Sequence, residues 1–381
     1  MTKKIALLLS ILSIVVFAQA KVMASVTHQG HVGATEIQVA PHTPDAIVMK
    51  DADGNDVLAV FYRVKGDHPK GGFVVARTTG RYGELNWDAS THEIDMSALR
   101  IEKFSPAPVI LGDRLYVFGR QNKSNSSDGK RKLIYNSVNN NVEDLINNHW
   151  NSPTFINHVQ NGVATNPDQE RDHVSLVNYS HVQNNVTTER LLMSYYESDD
   201  AKQVKFSTSS CIPRTDSVVG ALYCEGGKVY GGDKVDYRNS THLIKTHYAG
   251  NVSIALLTRK ENQLTVHGFA KDTLTWNNFY NPILSLSHEP MGSVQYGETL
   301  YLYYKSLKGN IIKETYAFTW DMAGETAFTH FYALRPRGDY NNTMFYANDG
   351  VKAVVFKGHI YIFYIDNQTG VLRYLIRTTP Y

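Results

Sequence analysis

An apolar and aromatic run, followed by a turn of charged, Asn or Gly residues and a second alternating strand, recurs along this chain. Six copies carry the runs Leu58–Arg63, Leu115–Arg120, Leu191–Tyr196, Val252–Leu257, Leu300–Lys305 and Ile360–Ile365. Most copies lie about fifty to sixty residues apart, and a repeat of this kind is typical of blades or arrays rather than of one compact sheet.

Each copy has the anatomy of consecutive antiparallel hairpins. In the last copy, Val351–Phe356 leads through a Lys-Gly turn into the aromatic run, and the turn Asp366–Gly370 leads into Val371–Ile376. Gly and Asn turns between β-rich runs predict hairpins. Tryptophans downstream of the hairpins mark a fourth strand, and they are Trp87, Trp150, Trp276 and Trp320.

Four short antiparallel strands, repeated about six times, predict an all-β fold, the β-propeller. Six blades fit the copies, while a degenerate blade or an insertion over Tyr223–Val235 leaves five or seven open. The last copy ends at Tyr381 without an outer strand, and Ala34–Val39 alternates without a hairpin of its own. An N-terminal strand completing the last blade would remove both open edges.

Length and charge favour a single extracellular domain over residues 25–381. A propeller distributes its core between blades, so one domain accommodates this length. The formal net charge is +2, without a basic run or stripe, which argues against nucleic-acid binding.

Residues 1–20 have the pattern of a signal peptide. Lys3 and Lys4 precede the apolar run Ile5–Phe17, and small residues allow cleavage after Ala20 or Ala24. The run is short for a membrane span, although a retained anchor is the alternative, and no later segment reaches the apolar length of one. We expect secretion, or export to the periplasm if the source is bacterial.

The two cysteines, Cys211 and Cys224, are close in sequence. In an exported protein such a pair most simply forms one local disulfide. Triplets of the N-glycosylation type begin at Asn122, Asn125, Asn178, Asn185, Asn239, Asn251, Asn341 and Asn367. The sequence leaves open whether these asparagines are glycosylated.

The sequence predicts neither a metal nor a cofactor. Asp51–Asp56 alternates oxygen ligands, but Asp56 and Tyr62 replace the Gly and the bidentate Glu of a calcium loop, and a hairpin turn explains the segment better. Three carboxylates near blade starts, Asp45, Asp172 and Asp349, are candidates for a glycosidase pair at the ring centre. Turn formation or capping is the other explanation for them.

Aromatic residues point to sugar binding, because flat rings stack on the apolar face of a sugar while Tyr and Trp keep a polar edge. Packing between blades is the alternative for each such residue. Predicted ligand contacts are Trp87, Trp276, Trp320, Trp150, Tyr304 and Arg63.

The aromatic hairpin strand with its trailing Thr-Trp or Asn-Trp resembles the blades of secreted β-propeller lectins, especially fucose-binding lectins, and more distantly sialidase-type repeats. Lys271–Trp276 is one residue short of the sialidase Asp-box and lacks its Gly. The resemblance implies a non-catalytic glycan-binding propeller with aromatic pockets repeated between blades. A secreted glycoside hydrolase and a protein-interaction propeller stay as alternatives, and the sugar and the oligomeric state stay open.

Overall fold

The computed structural model describes residues 25–66, 71–94, 106–120, 133–151, 154–155, 158–160, 163–165, 174–198, 204–213, 220–230, 241–249, 251–260, 263–270, 275–278, 290–319, 328, 331–338 and 343–378. Within these ranges the chain forms strands β1 to β28 and one short helix, α1 (Val142–Ile146). None of the described helical structure is long and apolar enough to cross a bilayer. The predicted signal peptide, with both of its cleavage sites, lies outside the described residues and stays a prediction.

The described strands form six sheets, which we number as blades in chain order. Blade 1 contains β2 (Asp45–Lys50), β3 (Asp56–Arg63), β4 (Gly71–Thr79), β5 (Leu85–Trp87) and β6 (His92–Ile94). Blade 2 contains β7 (Ala107–Leu111), β8 (Arg114–Arg120), β9 (Leu133–Asn139) and β10 (Thr154–Phe155). Blade 3 contains β11 (His158–Gln160), β12 (Val163–Thr165), β13 (Ser175–Gln183), β14 (Val186–Ser198), β15 (Val204–Pro213) and β16 (Leu222–Tyr230).

The second half of the ring has the same plan. Blade 4 contains β17 (His242–Tyr248), β18 (Asn251–Lys260), β19 (Gln263–Ala270) and β20 (Thr275–Asn278). Blade 5 contains β21 (Gly292–Tyr296), β22 (Thr299–Lys305), β23 (Ile312–Phe318) and β24 (Phe331–Ala333). Blade 6 contains β26 (Lys352–Phe356), β27 (His359–Ile365) and β28 (Leu372–Arg377), with β1 (Ser25–His31) and β25 (Arg335–Pro336) outside them.

The innermost strands of the blades contact one another in a closed cycle: β2 with β7, β7 with β13, β13 with β17, β17 with β21, β21 with β26, and β26 with β2. The chain is therefore a six-bladed β-propeller, as predicted. The six repeated runs fall on the second strands of the blades, β3, β8, β14, β18, β22 and β27. The segment that could have hidden a further blade contains β16, the strand after β15 in blade 3.

Closure of the ring by an N-terminal strand is confirmed, but the strand is β1 rather than Ala34–Val39. β1 pairs antiparallel with β28, from Val26 opposite Arg377 to His31 opposite Arg373, and parallel with β25 on its other side. Residues 34–39 form only isolated bridges, one to blade 6 and one to blade 1. They carry the chain from the rim of blade 6 to the axis of blade 1, so they cross strand ends instead of lying along a strand.

The aromatic positions of the repeated runs form the core between blades. Tyr62, Tyr116, Tyr304 and Tyr364 are all buried. Tyr304 packs with blade 4 residues such as Leu257, which corrects its predicted place in a ligand pocket. The second strand lies inside each sheet, so neighbouring blades cover both of its faces and bury its central side chains.

The predicted disulfide joins Cys211 and Cys224 with an S–S distance of 2.00 Å. The two residues face each other across the neighbouring strands β15 and β16, and both are fully buried. The bond is thus local, as the sequence predicts.

We expect replacement of Cys211 and Cys224 by Ala to lower the free energy of unfolding by about 3 kcal/mol, because the bond restricts the unfolded chain. Denaturant unfolding of the double variant and of reduced wild type should show similar losses. Free thiols at both positions in a non-reduced digest of wild type would contradict the bond.

Candidate functional site

A pocket lies on the propeller axis, at the face where the innermost strands begin. The first paired residues of the six innermost strands are Asp45, Ala107, Ser175, His242, Gly292 and Lys352. Four of them, Asp45, Ser175, His242 and Lys352, line a cavity of about 220 Å³. An innermost strand has no neighbouring strand on its axial side, so this wall also presents backbone polar groups.

Polar contacts join successive innermost strands around this pocket. From blade 2 round to blade 1 they are Asn178 Nδ2 to Ile110 O at 3.0 Å, Lys245 Nζ to Asn178 Oδ1 at 2.8 Å, His242 Nε2 with Ser293 Oγ at 2.8 Å, Val351 N to Pro290 O at 3.1 Å, and Lys352 Nζ to Asp45 Oδ1 at 2.7 Å. Between blades 5 and 6 the approach is close, because a Cβ on Gly292 would lie 2.5 Å from Ala353 N. These contacts hold the wall of the pocket in place.

Asp45 is the carboxylate among the described residues of the pocket wall. Burial raises the pKa of its carboxyl, while the charge and hydrogen bond of Lys352 oppose that rise. Asp349 does not line the pocket; its Oδ1 accepts the Gly350 N–H at 2.8 Å, just before β26. Asp172 lies outside the described residues. Of the two predicted carboxylates that the structure describes, it brings Asp45 to the axis, where Lys352 holds it.

Tryptophans occupy one repeated position at the outer edge of three blades, on a strand for Trp87 and Trp276 and in a loop for Trp150. Trp87 in β5 lies opposite Ala76, and Trp276 in β20 lies opposite Phe269, which is the equivalent residue of blade 4. Trp150 has the same place in blade 2, because the residue after each tryptophan donates its N–H to an equivalent carbonyl: Asp88 to Val75, and Asn151 to Ser137. The predicted fourth-strand tryptophan is thus confirmed for Trp87 and Trp276.

The segment before Trp320 departs from this pattern. Ala317 and Phe318 belong to the end of β23, the third strand, and the fourth strand of blade 5 is β24. Trp320 itself lies outside the described residues, as does the side chain of Trp276.

Trp87 lies at the junction where blade 1 meets blade 6, half-buried against the core between these blades. Its indole meets the Tyr374 ring edge-on, with the centroids 6.1 Å apart. Glu84 and His28 lie beside it, each about one third exposed, with Glu84 Oε1 4.0 Å from His28 Nδ1. We call Trp87, Glu84, His28 and Tyr374 the seam patch.

The turn that carries Glu84 is held firmly by blade 6. Tyr361 donates its hydroxyl to Gly83 O at 2.6 Å, and Tyr374 Oη accepts the Leu85 N–H at 3.1 Å. Backbone amides, including that of Tyr82, lower the pKa of the Glu84 carboxyl, although partial burial opposes them. The seam patch therefore presents a carboxylate acceptor on a turn that Tyr361 and Tyr374 hold in place.

Trp150 repeats part of this arrangement between blades 1 and 2. It is half-buried against the adjoining core. The indole Nε1 atoms of Trp87 and Trp150 are both buried, and neither has a hydrogen-bond acceptor among the described residues. Nearby, Arg77 bridges Asp88 at 3.0 Å and Glu143 of α1 at 3.2 Å, which ties the two blades together.

Arg63 is not part of the seam patch. It lies at the end of β3, with its Nη1 2.8 Å from His42 Nε2. On β4, Arg63 pairs with Gly71 and Trp87 pairs with Ala76, five residues further along the strand. His28, Glu84 and Tyr374 were not among the residues predicted from the sequence, although Glu84 lies three residues before Trp87.

No known protein family and no curated protein matches the chain. Among solved structures, the fold resembles a triple arginine-to-alanine mutant of AofleA from Arthrobotrys oligospora, a fungal fucose-specific lectin, with a TM-score of 0.54 and 9% identity over 92% of this chain and 86% of that chain. An exo-β-1,3-galactanase from Phanerochaete chrysosporium gives a TM-score of 0.42 and 11% identity over 79% of this chain and 62% of that one.

A GH43_1 enzyme from Xanthomonas citri complexed with xylotriose gives a TM-score of 0.40 and 10% identity over 92% of this chain and 90% of that one. The AofleA likeness agrees with the β-propeller fold derived above. At 9% identity the AofleA match supports the architecture alone.

Proposed function

We propose that this chain is an exported, non-catalytic glycan-binding propeller, which holds sugars at the blade rims on tryptophan platforms. The observation that carries the proposal is the tryptophan repeated at the outer edge of the blades, half-buried in both blades where its side chain is described. A half-buried indole is fixed by the core on one side and still offers surface to a ligand.

The seam patch has the chemistry that a sugar requires. An indole face packs against the C–H face of a pyranose ring. Glu84 accepts hydrogen bonds from hydroxyl groups, and a bond to a charged acceptor is stronger than a neutral one. His28 adds a second polar group on the same side of the junction.

A glycosidase needs two carboxylates that face each other across the scissile bond. The described wall of the axial pocket supplies Asp45, whose oxygen is engaged by Lys352 at 2.7 Å. This arrangement favours binding over hydrolysis.

Export is supported by the buried disulfide, because such bonds persist in oxidising compartments. Equivalent tryptophans in three blades also favour multivalent binding, in which weak single sites give a high avidity for a clustered glycan.

We expect Trp87→Ala to weaken binding to a responding glycan on an array by about tenfold, and Trp87→Ala with Trp150→Ala to abolish it, because each site contributes to avidity. Glu84→Gln should weaken binding as well, with an unchanged melting temperature. Trp87→Phe keeps an aromatic surface and is the matched control, with smaller losses.

Melting temperatures separate binding from packing. If these tryptophans are only core, each Ala variant should lose about 3–5 kcal/mol of stability, and a folded double variant with full glycan binding would refute the proposal. Hydrolysis of aryl glycosides that disappears in Asp45→Asn would favour the hydrolase, and a protein that binds no glycan on the array would favour the protein-interaction alternative.

A further inference from the structure

The axial pocket combines apolar side chains with a few buried polar groups. Three polar residues of its wall, Thr43, Asp45 and Ser175, are more than nine-tenths buried. The apolar residues of the described wall include Pro44, Pro108, Pro290, Met291 and Val351. An apolar cavity with a small number of polar groups is the usual form of a small-molecule site.

One carboxylate oxygen of Asp45 is left for a ligand. Its Oδ1 atom accepts the Ala46 N–H at 2.7 Å and also contacts the ammonium of Lys352 at 2.7 Å. Its Oδ2 atom has no hydrogen-bond partner among the described residues. A buried acceptor is costly to leave without a donor, so this oxygen favours a molecule that donates to it.

The charge of Asp45 is already balanced by Lys352, because the two side chains form an ion pair. The pocket therefore needs no charged ligand to compensate the carboxylate. A neutral hydroxyl group is a suitable donor to Asp45 Oδ2, since a hydrogen bond to a charged acceptor is stronger than one between neutral groups.

Two hydroxyl groups of the pocket wall are available as donors. Thr43 Oγ1 accepts the Gly350 N–H at 3.0 Å, and Ser175 Oγ accepts the Leu243 N–H at 2.7 Å. A hydroxyl that accepts one bond keeps its own proton, and neither proton has an acceptor among the described residues. The pocket thus presents donors and an acceptor together, which suits the hydroxyl groups of a polyol, because each of them both donates and accepts.

The cavity limits the ligand to a small molecule. Its volume of about 220 Å³ corresponds to about seven water molecules in the liquid, and is below the usual range for drug-sized ligands.

We propose that the axial pocket binds a small neutral polyol no larger than a monosaccharide. Asp45 Oδ2 accepts from one ligand hydroxyl, Thr43 and Ser175 donate to others, and the apolar wall covers the C–H groups. This site is separate from the rim tryptophans and does not depend on the glycan-binding proposal, so either can fail without the other.

A ligand-observed NMR titration tests the proposal with five neutral probes, namely glucose, galactose, mannose, xylose and myo-inositol. The protein is the full chain with Trp87→Ala and Trp150→Ala, in which these two rim sites are removed. At least one probe should bind, and added Asp45→Asn should weaken its binding at least about tenfold, because a bond to a charged acceptor is lost. If no probe binds the folded protein, or if Asp45→Asn leaves the binding unchanged, the proposal is overturned.

Two further variants locate the ligand contact. Ser175→Ala should weaken binding of the same probe by about three- to tenfold, because it removes a neutral donor, and it stays informative if Asp45→Asn does not fold. Asp56→Asn is the matched control, since Asp56 pairs with Lys50 at 2.7 Å at the exposed end of the same hairpin. Its affinity should equal that of the parent protein. Unaltered binding in Ser175→Ala, or an equal loss in Asp56→Asn and Asp45→Asn, would refute the assignment.

Discussion

Removal of residues 1–31 is expected to abolish the folded state, because it deletes the strand that closes the ring. β1 pairs on one side with β28 and on the other with β25, and it buries Val26 in the core of blade 6. Its loss would leave the long edge of β28 unpaired, which promotes aggregation. The expected effect exceeds about 5 kcal/mol, comparable with the whole stability of a domain.

Removal of residues 1–24 is the matched control, since β1 begins at Ser25. That protein should stay soluble and unfold in one cooperative transition by circular dichroism. A protein that starts at residue 32 and melts at the same temperature would show that β1 does not hold the ring closed.

Glu314→Ala should lower the free energy of unfolding by about 3–5 kcal/mol, because it leaves a buried guanidinium without its counter-ion. Glu314 in blade 5 and Arg377 in blade 6 have fully buried side chains and form two hydrogen bonds, Nη2 to Oε1 at 2.9 Å and Nε to Oε2 at 2.5 Å. The guanidinium also lies 4.2 Å from the centre of the Tyr301 ring. This ion pair is a buried link across the junction of blades 5 and 6.

Two comparisons define the reason for the loss. Glu314→Met with Arg377→Met removes both charges and should cost much less than the single variant, because apolar side chains can replace a buried pair. Asp56→Ala breaks an exposed pair with Lys50, of 2.7 Å, and should cost no more than about 1 kcal/mol. Similar losses for Glu314→Ala and Asp56→Ala in urea unfolding would contradict the role of burial.

The sequence by itself predicted the strands and the fold class, because both depend on local patterns. Continuous apolar and aromatic runs marked β22 and β27, and turns such as Asp366–Gly370 marked the hairpins between strands. The disulfide could also be predicted from the sequence, since Cys211 and Cys224 lie on neighbouring strands of one blade.

Only the tertiary structure decided which side chains meet. Tyr304 and Trp87 both lie on strands. Tyr304 is buried inside a sheet, whereas Trp87 is half-buried at a blade rim. Strand periodicity states which face a residue occupies, and it does not state what covers that face.

The axial pocket and the seam patch depend on contacts between the two ends of the chain. Asp45 meets Lys352, and Glu84 meets Tyr374 and His28, only because the ring closes between blades 1 and 6. Repeats within the chain predict each blade, but the position of one blade against the next is set by packing across the junction. The chemistry of this protein lies at those junctions, and the fold alone brings its residues together.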